Sequence, residues 1–254
     1  MNKQIFEKIR EKREFSQLPE KDIEIAYEQF ERRQTSEEEK IRLTKELLRK
    51  IFSAFFSKKL LSLKNKESEW ILRKHISTRE RLPYYEEIYK KIFKNYKNAS
   101  VIDLGAGING FSYDFFKKAG IKACYTAIDS VGQLVELMNH YFKRNKVNAK
   151  AIHSSLFELE KVKRIINKEK KPRVVLLFKV VDALETLRKN YSQELISEIT
   201  PLADKVVVSF ATKSLGSREK FKAKRNWILD FIKENFNLLE DFELGGERYI
   251  IFRR

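Results

Sequence analysis

The chain contains 254 residues, of which 42% are hydrophobic, so it can bury a sizeable core and wholesale disorder is excluded. Its one cysteine, Cys124, excludes an internal disulfide framework and a cysteine-built zinc site. The formal net charge of +17 favours association with polyanions. The length suits one α/β domain of ordinary size with a helical attachment.

The amino-terminal stretch, residues 1–15, carries charge throughout and lacks the apolar block of a signal peptide. No apolar run approaches the roughly 20 residues needed to cross a bilayer. We therefore expect a soluble, cytoplasmic protein without a membrane partner.

Basic residues fall into three clusters, at residues 47–66, 161–173 and 213–225. The first contains six basic residues and no acidic one, and each of the others is opposed by a single glutamate. One such cluster is typical of a solvated helix face, but several on one surface release counterions from a nucleic acid. The three clusters together favour RNA over a small-molecule or membrane partner.

The first part of the chain is predicted to be helical. Ser36 followed by three glutamates forms a capping box, and apolar residues then recur at three- and four-residue spacing from Ile41 to Phe56. Pro19 is expected to open an earlier helix that continues to Phe30. We predict a helical RNA- or ribosome-binding region at residues 1–75.

From Ser100 onward, short apolar runs alternate with amphipathic segments, which predicts buried parallel strands with helical crossovers. The final residues form two apolar runs around Gly245-Gly246, which predicts a hairpin. Five strands followed by a hairpin indicate an α/β fold, namely a doubly wound, class I (Rossmann-like) methyltransferase sheet with an antiparallel terminal strand. We assign this domain to residues 76–254. The five predicted parallel strands are 101–104, 125–128, 149–152, 174–178 and 205–210.

The most informative stretch is Val101 to Gly110, in which Gly105, Gly107 and Gly110 form a G-x-G-x-x-G pattern directly after the first strand. This pattern alone also describes a dinucleotide site. Asp103 separates the two interpretations, because a carboxylate beside a pyrophosphate is unfavourable, whereas S-adenosylmethionine carries a positive amino group and sulfonium. The pattern therefore predicts an S-adenosylmethionine site that includes Asp103, Gly105, Ala106 and Gly107.

Two further positions complete the predicted cofactor site. Asp129 ends the second strand, where an acidic side chain can accept both ribose hydroxyls; the alternative is an aspartate that caps the next helix. Ser155 and Leu156 follow the third strand, where adenine is held by a polar edge contact and apolar flanks. The alternative for Ser155 is a simple turn residue.

Three segments resemble one family. They are His75-Ile76-Ser77-Thr78-Arg79-Glu80-Arg81-Leu82, then Leu176-Leu177-Phe178-Lys179 continuing to Leu184-Glu185, and Ser209-Phe210-Ala211-Thr212-Lys213-Ser214-Leu215-Gly216. In this order they resemble the 16S ribosomal RNA guanine-N7 methyltransferases of the aminoglycoside-resistance type. The resemblance covers roughly residues 70 to 254, and the first and third segments are the more specific.

The resemblance implies roles for individual residues. Arg79 is expected to pair with the methionine carboxylate of the cofactor, since a guanidinium fork matches a carboxylate; the alternative is an exposed ion pair. Lys179 and Lys213 are expected to line the pocket beside the target base and its phosphates. Phe210 is a candidate for stacking on an extruded guanine, with core packing as the alternative. His75 receives no chemical role.

The chain also departs from the family. Ala106 and Gly110 stand where the family usually has cysteine and proline, and Asp182 and Ala211 replace prolines. The predicted cofactor role survives these departures, but the family's target nucleotide does not carry over to this chain. An antibiotic-resistance role is not implied. The resemblance therefore predicts an rRNA methyltransferase that acts as a monomer on the small ribosomal subunit.

Guanine N7 has a free lone pair, so transfer by orientation alone, without a general base, is the expected mechanism. The strand-four segment, residues 178–181, lacks the N/D-P-P-Y pattern of enzymes that methylate exocyclic amines. The alternatives left open are a methyltransferase of another rRNA or tRNA position, and an RNA-binding protein that retains the fold without turnover. A dehydrogenase is disfavoured by Asp103 and by the terminal hairpin.

Overall fold

The computed structural model describes residues 1–52, 66–212 and 225–254. Helices occupy the amino-terminal part of the chain. They are α1 (Lys3–Arg10), α2 (Glu20–Glu31), α3 (Glu37–Phe52), α4 (Ser68–Leu72), α5 (Ile76–Arg81) and α6 (Tyr85–Ile92).

Local sequence accounts for where these helices begin. The backbone N–H of Glu39 donates to Ser36 Oγ at 3.2 Å, so Ser36 caps α3 as predicted. Glutamates in its first turn and basic residues in its last turn suit the helix dipole. Pro19 immediately precedes α2 as its N-cap rather than lying inside the helix. The predicted apolar stripe beyond Phe52 lies outside the described residues.

The rest of the chain forms one seven-stranded sheet with the order β3-β2-β1-β4-β5-β7-β6. Strands β1 to β5 are parallel, and β7 inserts antiparallel between β5 and β6. This topology confirms the predicted fold, including the terminal hairpin. The strands are β1 (Asn98–Leu104), β2 (Lys122–Asp129), β3 (Ala149–His153), β4 (Arg173–Phe178), β5 (Lys205–Ala211), β6 (Asn237–Leu244) and β7 (Glu247–Arg253).

Helices follow most of the strands and cover the sheet. They are α7 (Tyr113–Lys118), α8 (Gly132–Arg144), α9 (Leu159–Lys168), α10 (Val181–Leu187), α11 (Tyr191–Ile199) and α12 (Asn226–Asn235). Because the strand order reverses between β1 and β4, the carboxyl ends of these two strands border a crevice. In register, Asp103 lies opposite Leu176 of β4 and Ala127 of β2.

The amino-terminal helices share their core with the sheet. Ile9, Phe15 and Ile23 belong to the same buried cluster as the central strands. The side-chain amide of Gln29 on α2 donates to the backbone oxygens of Thr186 and Leu187, at 2.9 and 2.7 Å. This packing brings α2 to the carboxyl edge of the sheet. The domain boundary proposed after residue 75 stays a prediction.

Among residues 1–52, 66–212 and 225–254, no helix is both long enough and apolar enough to cross a membrane.

Candidate functional site

A cavity opens where β1, β2 and β4 end. It is lined by residues that follow these strands, by the start of α5, and by side chains from α2 and α3. The lining includes Asp22, Phe52, His75, Thr78, Arg81, Asp103, Gly105, Ala106, Gly107, Asn109, Asp129, Val131, Leu156, Phe178, Lys179 and Val180.

The glycine turn after β1 forms the floor of the cavity. Gly105 and Gly107 have φ values of +68° and +55°, a conformation that disfavours other residues. The N–H groups of Gly105 and Ala106 both donate to the Ile128 oxygen, which ties the turn to β2. A Cβ on Gly105 would lie 2.5 Å from Cγ2 of Val180. The turn therefore needs glycine for both its conformation and its close approach to Val180, which follows β4.

Asp103 presents a carboxylate at the end of β1. Its Oδ2 accepts hydrogen bonds from Tyr125 OH at 2.6 Å and from Asn109 Nδ2 at 2.7 Å. Its Oδ1 is buried and has no hydrogen-bond partner among the described residues. Burial raises the pKa of Asp103 to about 6, although the two hydrogen bonds and the Arg81 charge oppose that rise. A buried oxygen that lines a cavity without a partner suits a cationic or hydrogen-bond-donating ligand.

Asp129 also lines the cavity, at the end of β2, and it is held by backbone groups. Its Oδ2 accepts from the Gly107 N–H at 2.7 Å and its Oδ1 from the Val131 N–H at 2.8 Å. Burial raises the pKa of this carboxyl, against the effect of those two hydrogen bonds. Each carboxylate oxygen has a second lone pair. Asp129 thus caps the next segment and still offers acceptors to a ligand, so the two alternatives for this residue are compatible.

The two candidates after β3 separate in the structure. Leu156 lines the cavity as expected. Ser155 is fully buried, and its Oγ accepts from the Phe157 N–H at 3.0 Å. Ser155 is not among the residues that line the cavity, which corrects the expectation that it supplies the polar edge contact and favours the turn interpretation.

The arginine that lines the cavity is Arg81, whereas the expectation from the sequence named Arg79. Arg79 is exposed and borders a separate surface depression with Tyr84 and Gly245. Residues two apart on a helix point about 200° away from each other, because each residue turns about 100°. Thr78 and Arg81 are both buried and three residues apart, so they share the inner face of α5.

Arg81 is held by a buried network. Its Nε donates to Glu247 Oε2 at 2.9 Å, and its Nη1 donates to Asn109 Oδ1 at 3.1 Å. The guanidinium also lies over the Phe178 ring, 4.9 Å from the centroid. Because Asn109 in turn donates to Asp103, the network links Arg81 to the end of β1.

Lys179 lines the cavity directly after β4, as predicted. It has a φ of +55°, which is unusual for a residue with a side chain and often marks functional positions. Its Nζ lies 2.9 Å from Glu80 Oε2 and 3.2 Å from Glu247 Oε2. Its side chain is only 13% exposed, so the solvated alternative does not describe it.

Glu247 and Asp22 are the site residues that the sequence interpretation missed. Glu247 is 1% exposed, joins Arg81 and Lys179, and accepts a short hydrogen bond from Ser209 Oγ. It lies on the same face of β7 as the buried residues Tyr249 and Ile251, so the two-residue period of a strand would have indicated that it is buried. Asp22 lies on α2, three and four residues before buried Ile25 and Ala26, and the same helical phase would have indicated burial.

The remaining candidates lie elsewhere. Phe210 is 4% exposed and lies under the Arg225 guanidinium rather than in the cavity lining, so the core-packing alternative fits it. The phenylalanines among the described residues that line the cavity are Phe52, Phe157 and Phe178. Lys213 lies outside the described residues, as do most of the first and third basic clusters. In the second cluster, Lys161 and Lys163 pair with glutamates, which makes that cluster a weaker indication of RNA binding.

His75 is the one histidine in the lining of the cavity as described. Burial lowers its pKa to about 4, and the Arg81 and Lys179 charges add to that effect. Its imidazole is therefore neutral at physiological pH.

The strand order with an antiparallel β7, together with a glycine turn between two buried carboxylates, defines a class I methyltransferase. The family model described as ribosomal RNA methyltransferase (FmrO) matches residues 39–228. The chain therefore belongs to the ribosomal RNA methyltransferase (FmrO) family, and the resemblance predicted from the sequence is confirmed.

Curated relatives agree with this assignment. The chain is 25% identical over 197 residues to a 16S rRNA (guanine(1405)-N(7))-methyltransferase of Proteus mirabilis, in an alignment that covers 72% of this chain and 64% of the relative. It is 30% identical over 184 residues to a protein of the same name from Micromonospora rosea, with coverage of 71% and 63%. The matched region thus spans just under two thirds of the length of these relatives.

Solved structures show the same fold. The 16S rRNA methyltransferase RmtF, crystallised with S-adenosyl-L-homocysteine, superposes with a TM-score of 0.80 at 19% identity over the full length of both chains. The 16S rRNA methylase ArmA gives a TM-score of 0.58 at 24% identity over 76% of this chain and 95% of that one.

Proposed function

We propose that this chain is an S-adenosylmethionine-dependent methyltransferase that modifies N7 of a guanine in small-subunit ribosomal RNA. The observation that carries the cofactor assignment is the buried, unpartnered Oδ1 of Asp103 beside the Gly105 turn. The rRNA substrate is supported by the family match and by the names of the relatives.

The residues of the cavity fit a cationic nucleoside better than a dinucleotide. Asp22, Asp103 and Asp129 are all buried and all line the cavity. Three carboxyl groups oppose a pyrophosphate electrostatically, whereas they attract a positive amino group and sulfonium. The glycine turn packs directly against the segment after β4, since a Cβ on Gly105 would clash with Val180.

Individual residues have proposed places in cofactor binding. Asp103 faces the amino group, and Asp129 accepts from the ribose hydroxyls while its backbone bonds fix its orientation. Arg81 replaces Arg79 as the partner of the methionine carboxylate, because Arg81 lines the cavity and an arginine has five N–H donors, of which the network described above uses two.

Methyl transfer then depends on orientation rather than on a general base. When bound, S-adenosylmethionine supplies an electrophilic methyl group. Guanine N7 already has a lone pair, so the protein only has to hold the base in line and exclude water. Phe178 offers an aromatic face at the cavity, and Lys179 offers a cation for the negative charge of the nucleotide. A steep pH dependence of the chemical step from an essential enzyme base would contradict this mechanism.

The proposed partner is rRNA within the small ribosomal subunit, and the proposed enzyme is a monomer that acts in the cytoplasm. The excess of basic residues supports a polyanionic substrate. Lys213 remains a proposed contact on the RNA side, on the strength of the family motif alone.

Incubation with labelled cofactor and 30S subunits, followed by nuclease mapping of the labelled nucleotide, tests this function. We expect one labelled guanine in 16S rRNA, modified at N7. Label in transfer RNA or at another rRNA atom would contradict the proposed target. Absence of transfer despite cofactor binding would support an RNA-binding protein without turnover.

A further inference from the structure

Asp22 reaches the cofactor cavity from outside the methyltransferase sheet. It lies in the first turn of α2, is 2% exposed, and lines the cavity together with Val131, Leu156 and Phe157. Val131 follows β2, and Leu156 and Phe157 follow β3, so Asp22 shares the cavity lining with apolar residues. A polar group in a mostly apolar lining fixes the orientation of a ligand by a specific hydrogen bond.

The neighbours of Asp22 connect it to the loops that carry these apolar residues. Ser130 Oγ donates to Asp22 Oδ2 at 3.2 Å, and the Ser155 side chain also hydrogen-bonds to this carboxyl. Ser130 directly follows Asp129, and Ser155 directly precedes Leu156. The serine expected to contact the adenine edge is thus turned away from the cavity, and a carboxyl from the helical region lies beside it.

We propose that Asp22 is the specificity-determining residue for the nucleobase of the cofactor, and that it accepts a hydrogen bond from the exocyclic amino group of adenine. This inference rests on the proposed function, because it requires S-adenosylmethionine in the cavity. It also gives α2 a role beyond packing, since a helix of the amino-terminal region then completes the cofactor site.

The charge environment of Asp22 is consistent with a ligand donor. Burial raises the pKa of Asp22 to about 7, and the charges of Asp129 and Glu158 add to the rise, while hydrogen bonds from Ser155 and Ser130 oppose it. A donor from the ligand relieves this unfavourable burial of a carboxylate. Hydrogen bonds from Ser130 and Ser155 hold the carboxyl in place at the cavity.

Calorimetric titration with two ligands tests the proposal: S-adenosylhomocysteine and its 6-deamino analogue, in which the purine lacks the exocyclic amino group. Wild-type protein is expected to prefer S-adenosylhomocysteine by roughly ten- to a hundredfold, the effect of a hydrogen bond to a charged group. Asp22→Ala is expected to bind both ligands with equal affinity. Asp22→Asn keeps a carbonyl acceptor and is expected to retain part of the preference.

Glu28→Gln is the matched control, because Glu28 is an exposed acidic residue on the same helix. It is expected to keep the wild-type preference. If Asp22 has a purely structural role, its variants weaken the binding of both ligands by the same factor. A ratio of the two affinities that is unchanged from wild type would therefore overturn the proposal. Equal affinity of the wild-type protein for the two ligands would by itself overturn the proposal. Failure of wild-type protein to bind S-adenosylhomocysteine at all would instead overturn the proposed function.

Discussion

Arg81 and Glu247 form a buried ion pair with an Nε–Oε2 distance of 2.9 Å, although they are 166 residues apart in sequence. Their side chains are 4% and 1% exposed. The pair links α5, which precedes the sheet in the chain, to β7, the last strand of the chain. Because Glu247 also approaches Lys179, one carboxylate positions both cations of the cavity lining.

Arg81 and Arg79 are predicted to differ sharply when each is replaced by lysine. Arg81→Lys keeps the charge but loses the planar fork that contacts Glu247 and Asn109 together. We expect it to weaken S-adenosylhomocysteine binding at least tenfold, measured by calorimetry, and to lower the melting temperature. The exposed Arg79→Lys control is expected to bind within about twofold of wild type. If Arg79→Lys is the variant that loses affinity, the assignment of Arg81 is wrong.

Gly105 and Gly120 provide a matched pair for the glycine turn. Both have positive φ, at +68° and +79°, so alanine at either position meets backbone strain of about 1–2 kcal/mol. A Cβ at Gly105 would also lie 2.5 Å from Val180 Cγ2, whereas at Gly120 nothing lies within 4 Å.

We therefore expect Gly105→Ala to lower the free energy of unfolding by more than Gly120→Ala does, and to impair cofactor binding as well. Chemical denaturation and calorimetry measure the two effects. Equal losses of stability together with unchanged binding in both variants would show that the close approach of Gly105 to Val180 is unimportant.

Asp103 is predicted to make cofactor affinity depend on pH. Its pKa in the free protein is raised to about 6, so the carboxyl is ionised above that pH and protonated below it. The positive amino group of the ligand favours the ionised form, so affinity is expected to fall as pH decreases from 7 to 5. Because a single carboxyl group titrates, the affinity falls by at most about tenfold per pH unit.

The comparison with Asp103→Asn isolates this contribution. Asp22, whose pKa burial raises to about 7 in the wild-type protein, is present in both proteins. The variant is expected to bind more weakly at pH 7 and to lose less affinity between pH 7 and 5 than wild type. Parallel pH profiles for the two proteins would exclude a charged role for Asp103.

Lys179 is predicted to act on the RNA side of the site. Lys179→Ala removes the cation at the end of β4 while Arg81 still pairs with Glu247. We expect the rate of methyl transfer to 30S subunits to fall roughly 10- to 100-fold, the scale of a misplaced reactant, with cofactor affinity nearly unchanged. Lys189→Ala, at an exposed position, is the control and is expected to keep the wild-type rate. A loss of cofactor affinity equal to the loss of rate would assign Lys179 to the cofactor instead.

The features that the sequence predicted well are local ones. The glycine turn and the buried strands follow from short patterns, so Asp103, Gly105 and Asp129 could be placed before the structure was known. The motif led to Arg79 because a motif identifies a segment, whereas the helical phase set by Thr78 and Arg81 decides which side chain faces inward.

Asp22 and Glu247 could not be predicted as site residues, because tertiary packing alone brings Asp22 to the cavity and Glu247 to the cations Arg81 and Lys179. Asp22 arrives on a helix that precedes the sheet, and Glu247 on a strand that returns antiparallel at the end of the chain. Periodicity indicates that each residue is buried. It does not indicate which cavity or partner the side chain meets, since both depend on contacts between distant segments.

The identity of the bound nucleoside is the central claim, and calorimetric titration of wild-type protein with S-adenosylhomocysteine and, separately, with NADH tests it most directly. The carboxylates of Asp103 and Asp129 beside the glycine turn predict one site for S-adenosylhomocysteine and no measurable binding of NADH. Binding of NADH without binding of S-adenosylhomocysteine would contradict the account.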